Sequence, residues 1–423
     1  MRNEQTQTTP YTFGQQASFW IAAAVVAHTL WTSAAPAMTY PLYAAEWGLS
    51  PTVTTAIFAI YPIVVVTVLI IFGNLSDYIG RRAAMLWGLG ASFLGVALFA
   101  VAPNVGWVFA GRILMGVGVG LSAGPATAAM IEFGPVGAAA RASAVTLAAQ
   151  ALGLIAAMIV GGALIQYAPL PTRLNFAVLA VVLAVLFAAA WFLPRHKTVE
   201  TSARWRPTGI VIPKKIGRIF AVSVSAVASA YALGAVLLAL GAQIAHDLIG
   251  SGNALVSAAT LSLFAVAAGI AGFGAKKLQA NIAMILGGTA TMAGMGFLGI
   301  SASEHNLPIF LIAVASAGIG YSLLFVGGLT LLSAHAPAKQ RGGILSALYL
   351  VAYLVQGIAA ILIGAAATRW GLETAIDYGS AVIALLSMVV ITFAASMWGS
   401  LLAKDRAPVI EYRGTVISPR PCS

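Results

Sequence analysis

Charge is what this sequence has least of. Asp, Glu, Lys and Arg together make up 8% of its 423 residues and hydrophobic types 60%, where a soluble globular domain carries about 25% charge. So few ionised groups cannot cover a water-soluble protein of this size, which excludes a soluble enzyme. Disorder requires the opposite composition. Cysteine is nearly absent as well: Cys422 stands alone near the end, which excludes a disulfide framework and a cysteine metal site. No G-x-x-x-x-G-K-[ST] loop occurs, so the chain is not a self-contained ATP-driven pump. No metal and no cofactor is expected. The formal charge of +11 forms no stripe or patch, so no nucleic-acid partner is expected.

What the sequence has in abundance is long apolar stretches. A bilayer core about 30 Å thick needs about 20 apolar residues in a helix. By that measure the chain holds twelve spans, at 19–38, 52–72, 83–102, 107–129, 142–167, 174–193, 219–244, 254–273, 280–300, 308–332, 344–367 and 378–402. The expected fold class is an all-α integral membrane protein, its twelve transmembrane helices in two pseudo-symmetric six-helix bundles. Gly, Ala and Ser run through every span and let helices approach closely in lipid. Ser33-Ala34-Ala35-Pro36-Ala37 looks like a signal cleavage site, but residues 1–18 hold one arginine and the apolar run continues beyond it. The first span therefore reads as a helix.

Orientation follows from the basic residues. Nineteen of the 22 fall on one face, including Arg81, Arg82, Arg141, Arg341 and the run from Arg195 to Arg218; Arg173 and Arg369 fall on the other, and Arg112 lies within a span. This places both termini in the cytoplasm and the protein in the cytoplasmic (inner) membrane. The expected units are 1–193, a first six-helix bundle; 194–218, a basic cytoplasmic loop; and 219–423, a second bundle with a short tail. Gly73 and Gly274 are offset by 201 residues, Arg141 and Arg341 by 200, as a duplication requires.

Gly73-Asn74-Leu75-Ser76-Asp77-Tyr78-Ile79-Gly80-Arg81-Arg82 resembles the cytoplasmic loop signature of the major facilitator superfamily, G-x-L-x-D-x-x-G-R-[RK], and lies between the second and third spans as it does there. Read physically, Gly73 and Gly80 stand where backbone turns or approaches a neighbour. Asp77 suits a helix start, with Arg81 beside it and Glu132 as a third member. The resemblance implies that Gly73, Asp77, Gly80, Arg81, Arg82 and Glu132 form a charge relay latching the halves in an outward-open state. Without it, they read as a solvated basic loop.

Arg112 is the one charge inside a span, where an arginine costs roughly 2–3 kcal/mol. Arg112 with Gly116 and Gly118 resembles the superfamily's fourth-helix R-x-x-x-G-x-G pattern, associated with proton transfer. It either faces a cavity, which favours neutral or anionic substrates, or snorkels to the headgroups. In the fifth span Gly153, Gly161 and Gly162 sit in the frame of the superfamily's antiporter pattern G-x-x-x-G-P-x-x-G-G, but Ala157-Met158 replaces its Gly-Pro. His28, midway along the first span, either carries a proton or is a neutral hydrogen-bonded side chain; Trp31 shares its helix face. Tyr61, Gln150, Tyr231, Tyr321, Tyr349, Tyr353 and Gln356 are further cavity candidates, each equally readable as interhelical glue or an interface anchor. Tyr349, Tyr353 and Gln356 share one face of the eleventh span.

The resemblance implies a secondary active transporter working by alternating access: a small-molecule substrate, protons, the lipid bilayer as surroundings, and a monomer. Efflux of a neutral or anionic lipophilic compound leads, and uptake of a small organic anion or other nutrient is the alternative. A polytopic membrane enzyme would need clustered nucleophiles or acid–base groups near one face, and the five histidines are scattered. A transport-fold receptor would carry a large cytoplasmic extension, and the tails here are short.

Overall fold

The computed structural model describes residues 13–134, 139–194, 213–247, 250, 252–337 and 341–405. Most of the expected central loop, and the tail with Cys422, lie outside these residues. Among the described residues the chain is all-helical. Twelve helices are long and apolar enough to cross a membrane: α1 (Gln15–Ala34), α3 (Pro51–Phe72), α5 (Arg81–Ala100), α6 (Val105–Glu132), α7 (Ala139–Tyr167), α8 (Pro171–Trp191), α9 (Gly217–Asp247), α10 (Ala254–Ala275), α11 (Ala280–Glu304), α12 (Leu307–His335), α13 (Arg341–Trp370) and α14 (Leu372–Asp405). Two short helices, α2 (Tyr40–Trp47) and α4 (Leu75–Ile79), lie between spans. An even number of spans puts both described ends on one face, here called the terminal face.

Local chemistry sets several boundaries. Asn104, Asn253 and Asn306 accept hydrogen bonds from the first amides of α6, α10 and α12, satisfying groups a helix start leaves bare. Pro51 and Pro171 open α3 and α8, where a missing N–H is harmless. Most expected boundaries shift by a few residues, and two of the shifts have a clear local setting. The first span ends at Ala34 rather than 38, because Pro36 has no N–H to continue the ladder, and the chain turns before resuming as α2. The twelfth begins at Leu372 rather than 378, so Glu373 and Asp377 occupy its first turns.

Close backbone approach builds the packing. A Cβ on Gly88 or Gly95 of α5 would sit 2.6 Å from the Gly118 carbonyl oxygen or 2.7 Å from that of Gly111, both on α6. On α11, a Cβ on Gly287 or Gly294 would sit 2.7 Å from the Leu324 amide nitrogen or 2.8 Å from that of Ala317, on α12. Both pairs are offset by 199 residues, so the third and fourth spans pack as the ninth and tenth do.

The first six and last six spans meet along α3 with α13 and α7 with α10. Hydrogen bonds join them at the face opposite the termini. Thr52 meets the Thr368 hydroxyl at 2.7 Å and donates to the Gly364 carbonyl at 3.3 Å, and the Ala254 amide donates to Gln166 at 2.8 Å.

Candidate functional site

A cavity of about 180 Å³ lies at mid-depth between the halves. Its first-half wall comes from Thr29, Leu30, Ser33 and Ala34 of α1, Phe58 and Tyr61 of α3, Val119 and Ala123 of α6, and Leu147, Gln150, Ala151 and Leu154 of α7. Its second-half wall is aromatic: Tyr231 on α9, Phe264 on α10, Tyr321 and Phe325 on α12 and Tyr353 on α13, with Ser322 and Gln356. The Tyr231 and Tyr353 rings meet edge-on at 4.9 Å, as do Phe264 and Tyr321 at 5.4 Å. Among the described residues, no Asp, Glu, Lys, Arg or His lines the cavity.

Six of the expected cavity residues line this space: Tyr61, Gln150, Tyr231, Tyr321, Tyr353 and Gln356. Trp31 and Tyr349 do not. The face of α1 that opens on the cavity carries Leu30, Ser33 and Ala34, so the face His28 shares with Trp31 is turned away from it. His28 is buried, its Nδ1 bonded to the Val25 carbonyl of its own helix and its Nε2 without a partner. Tyr349 packs against Phe325 at 6.4 Å instead. The rings the sequence reading missed had a signal: Phe58 lies three residues before Tyr61 and Phe325 four after Tyr321, spacings that share a helix face.

Arg112 is fully buried and does not line the cavity, contrary to the expectation of a charge facing it; nor does it snorkel. Its Nη1 donates to the Ser33 carbonyl at 2.9 Å and its Nε to that of Ile57 at 3.3 Å. Its guanidinium lies 4.5 Å from the Tyr61 ring centroid and 5.9 Å from that of Phe58, so these rings stand between it and the cavity. Ser33 is among the last carbonyls of α1, where the helix dipole is negative and Pro36 cannot supply an amide. Asn175 of α8 caps the neighbouring Ala35 carbonyl at 3.1 Å. The charge thus caps a buried helix end.

The loop motif places Arg81 between two carboxylates, Asp77 at 2.5 Å and Glu132 at 3.0 Å. All three belong to the first half, so the ion pairs hold α4 and α5 on α6 rather than one half on the other. Arg82 leaves this group. It donates to the Leu193 carbonyl and lies over the Trp191 ring. Gly80 has φ +91°, a conformation glycine alone adopts readily, whereas Gly73 is ordinary helical backbone at φ −57°. Asp77 is 43% exposed and Glu132 29%, so water screens both pairs. Glu132→Gln is expected to change stability by no more than about 1 kcal/mol, read as thermal unfolding in detergent. A larger loss would mean that the pair holds the helices together.

The three fifth-span glycines face three different helices. A Cβ on Gly153 would sit 2.9 Å from the Ala27 carbonyl carbon of α1; one on Gly161 lies 3.4 Å from Asn175 of α8; one on Gly162 would sit 2.9 Å from the Ala254 carbonyl of α10, across the halves.

Residues 20–220 match the family model described as the Major Facilitator Superfamily. Over 166 residues the chain is 34% identical to the multidrug efflux pump LfrA of Mycolicibacterium smegmatis, a stretch covering 38% of this chain and 32% of that protein. The chain thus matches about a third of the length of that relative. Among solved structures it resembles a POT family transporter in complex with 5-aminolevulinic acid, with TM-score 0.70 and 12% identity over 90% of this chain and 96% of the other. It also resembles a bacterial homologue of the human lysosomal transporter Spinster, inward-facing and occupied, with TM-score 0.65 and 14% identity over 95% and 100%. The nucleoside transporter NupG aligns with TM-score 0.69 and 11% identity over 90% and 99%. At these identities the likeness is one of fold alone.

Proposed function

We propose that this chain, a membrane transporter of the major facilitator kind, exports an uncharged or anionic lipophilic small molecule from the cytoplasm by proton-coupled alternating access. The observation that carries the reading is the central cavity between the six-span halves, uncharged along its whole lining and closed off by hydrogen bonds at the opposite face. A site at mid-depth between paired halves is served in turn from either side as the halves rock. Export is supported by the partial match to a multidrug efflux pump and by the fifth-span glycines. The nineteen basic residues of the terminal face support a cytoplasmic location for it, in the inner membrane.

The lining argues about charge. A charged ligand gives up its hydration on entry, which costs far more than a few polar contacts return. Aromatic faces attract a cation by only about 0.5–2 kcal/mol each. An anion finds no cationic side chain on the cavity surface. Uncharged compounds therefore fit best: an anion meets no cationic side chain, and a cation meets ring faces but no carboxylate. Uptake of a small organic anion or nutrient is the second reading, favoured by Ala157-Met158 standing where the superfamily's antiporters carry Gly-Pro.

His28 and Arg112 are the proposed coupling groups, acting from behind the cavity wall. The test is flux in proteoliposomes under an imposed pH gradient, with neutral, anionic and cationic compounds, repeated for His28→Ala and Arg112→Ala. Exchange of compound against protons is expected, lost in at least one variant. Flux indifferent to the gradient for every compound would remove proton coupling, and accumulation in the direction of proton entry would reverse the direction.

A further inference from the structure

We propose that the cavity selects a flat, uncharged heteroaromatic ring system carrying an adjacent hydrogen-bond donor and acceptor, with Gln150 and Gln356 as the specificity-determining residues; this rests on the reading of the cavity as the transport site. Two observations carry it. The first is the ring wall. Tyr231, Tyr321 and Phe325 form a triangle of near-parallel rings, with centroids 6.2–6.3 Å apart and interplanar angles of 8°, 23° and 30°. All three line the cavity from the second half. A common ring orientation offers a planar guest a consistent surface, which an aliphatic chain does not need.

The second is a pair of unspent amides. Gln150 on α7 and Gln356 on α13 line the cavity, and neither side chain has a hydrogen-bond partner among the described residues. A carboxamide presents a donor and an acceptor in one plane, the complement of a lactam or hydroxy-imine edge. The two belong to equivalent spans of the two halves, nine residues after Arg141 and fifteen after Arg341. A ligand held by both bridges the halves, so its binding changes as they move apart. Loss of either contact leaves a polar edge unpaired in an apolar space, and sites built to hydrogen-bond a ligand discriminate against analogues lacking that group.

The experiment uses four bicyclic probes of nearly one shape: 2-quinolone (neutral donor and acceptor), N-methyl-2-quinolone (acceptor only), N-methylquinolinium (cation) and quinoline-2-carboxylate (anion). Binding to the purified full chain in detergent, without any gradient, is read by fluorescence quenching. 2-Quinolone is expected to bind about tenfold tighter than each of the others. Gln150→Leu and Gln356→Leu should each weaken 2-quinolone severalfold, and the variant that loses the acceptor for its N–H should bind N-methyl-2-quinolone as the unaltered chain does, which also shows that this variant folds. Tighter binding of the cation or the anion, or undiminished 2-quinolone binding in both variants, would overturn the proposal. Failure of all four to bind, with gradient-driven flux of other compounds intact in proteoliposomes, would overturn it and leave the transporter reading standing.

Discussion

Arg112→Ala is expected to destabilise the folded protein by about 2–3 kcal/mol, the mid-range balance of two losses and one gain, visible as a lower unfolding temperature in detergent. The side chain is fully buried and holds the Ser33 carbonyl at the broken end of α1. Its removal orphans that carbonyl, at about 1–3 kcal/mol, and opens a hole worth about 2–5 kcal/mol on the scale of large apolar truncations. The deletion also returns the roughly 3 kcal/mol that an arginine costs within a span, but the two losses together exceed that gain. Arg112→Lys keeps the charge but offers one donor group in place of a fork, so it should recover part of the loss. If the arginine were a proton relay with no structural task, the alanine variant would lose coupling and keep its unfolding temperature.

Gly364→Leu is expected to abolish transport almost completely while sparing the fold. A Cβ at Gly364 would sit 2.8 Å from the Thr55 Cβ and 2.9 Å from the Pro51 carbonyl, both on α3 across the halves. The clash exists only when α3 and α13 meet at the opposite face, so it penalises that state alone. Overpacking costs about 1–3 kcal/mol, which shifts a two-state balance about 5- to 150-fold. The measurement is thiol labelling from the opposite face in a Cys422→Ser background carrying Leu30→Cys, where Leu30 lines the cavity. Labelling should rise in step with the loss of flux. Unchanged labelling and flux would mean that this contact does not gate the cavity. Thr368→Ala, which removes the hydroxyl that meets the Thr52 amide and hydroxyl and donates to the Gly364 carbonyl of its own helix but adds no bulk, should have a far smaller effect.

The loop motif and the span count were both legible in the residues, because each depends on local features: a pattern of ten consecutive positions, and runs of apolar side chains long enough for a bilayer. Six cavity residues stood among the candidates too, since the polar end of a Tyr or Gln midway along a span needs a cavity, a neighbouring helix or an interface to meet it. Trp31 and Tyr349 were misplaced because the polar and aromatic residues of their helices are spread over more than one side and do not single out the cavity-facing one. Where the lipid-facing, neighbour-facing and cavity-facing sides all carry Ala, Val and Leu, helical periodicity holds no signal of which way a helix is turned.

Arg112 marks the same limit for charge. Its residue type and position announce that something polar must meet it in the membrane, but a cavity and a buried helix end are equally good answers. The answer lay in a carbonyl 79 positions away in the chain. From the sequence alone came the twelve apolar helices, their repeated plan and the face that collects positive charge, all additive properties of neighbouring residues. Only the packed structure decided how each helix is rotated about its axis, and therefore which side chains form the uncharged, ring-walled space, because that rotation is set by contacts between helices distant in sequence.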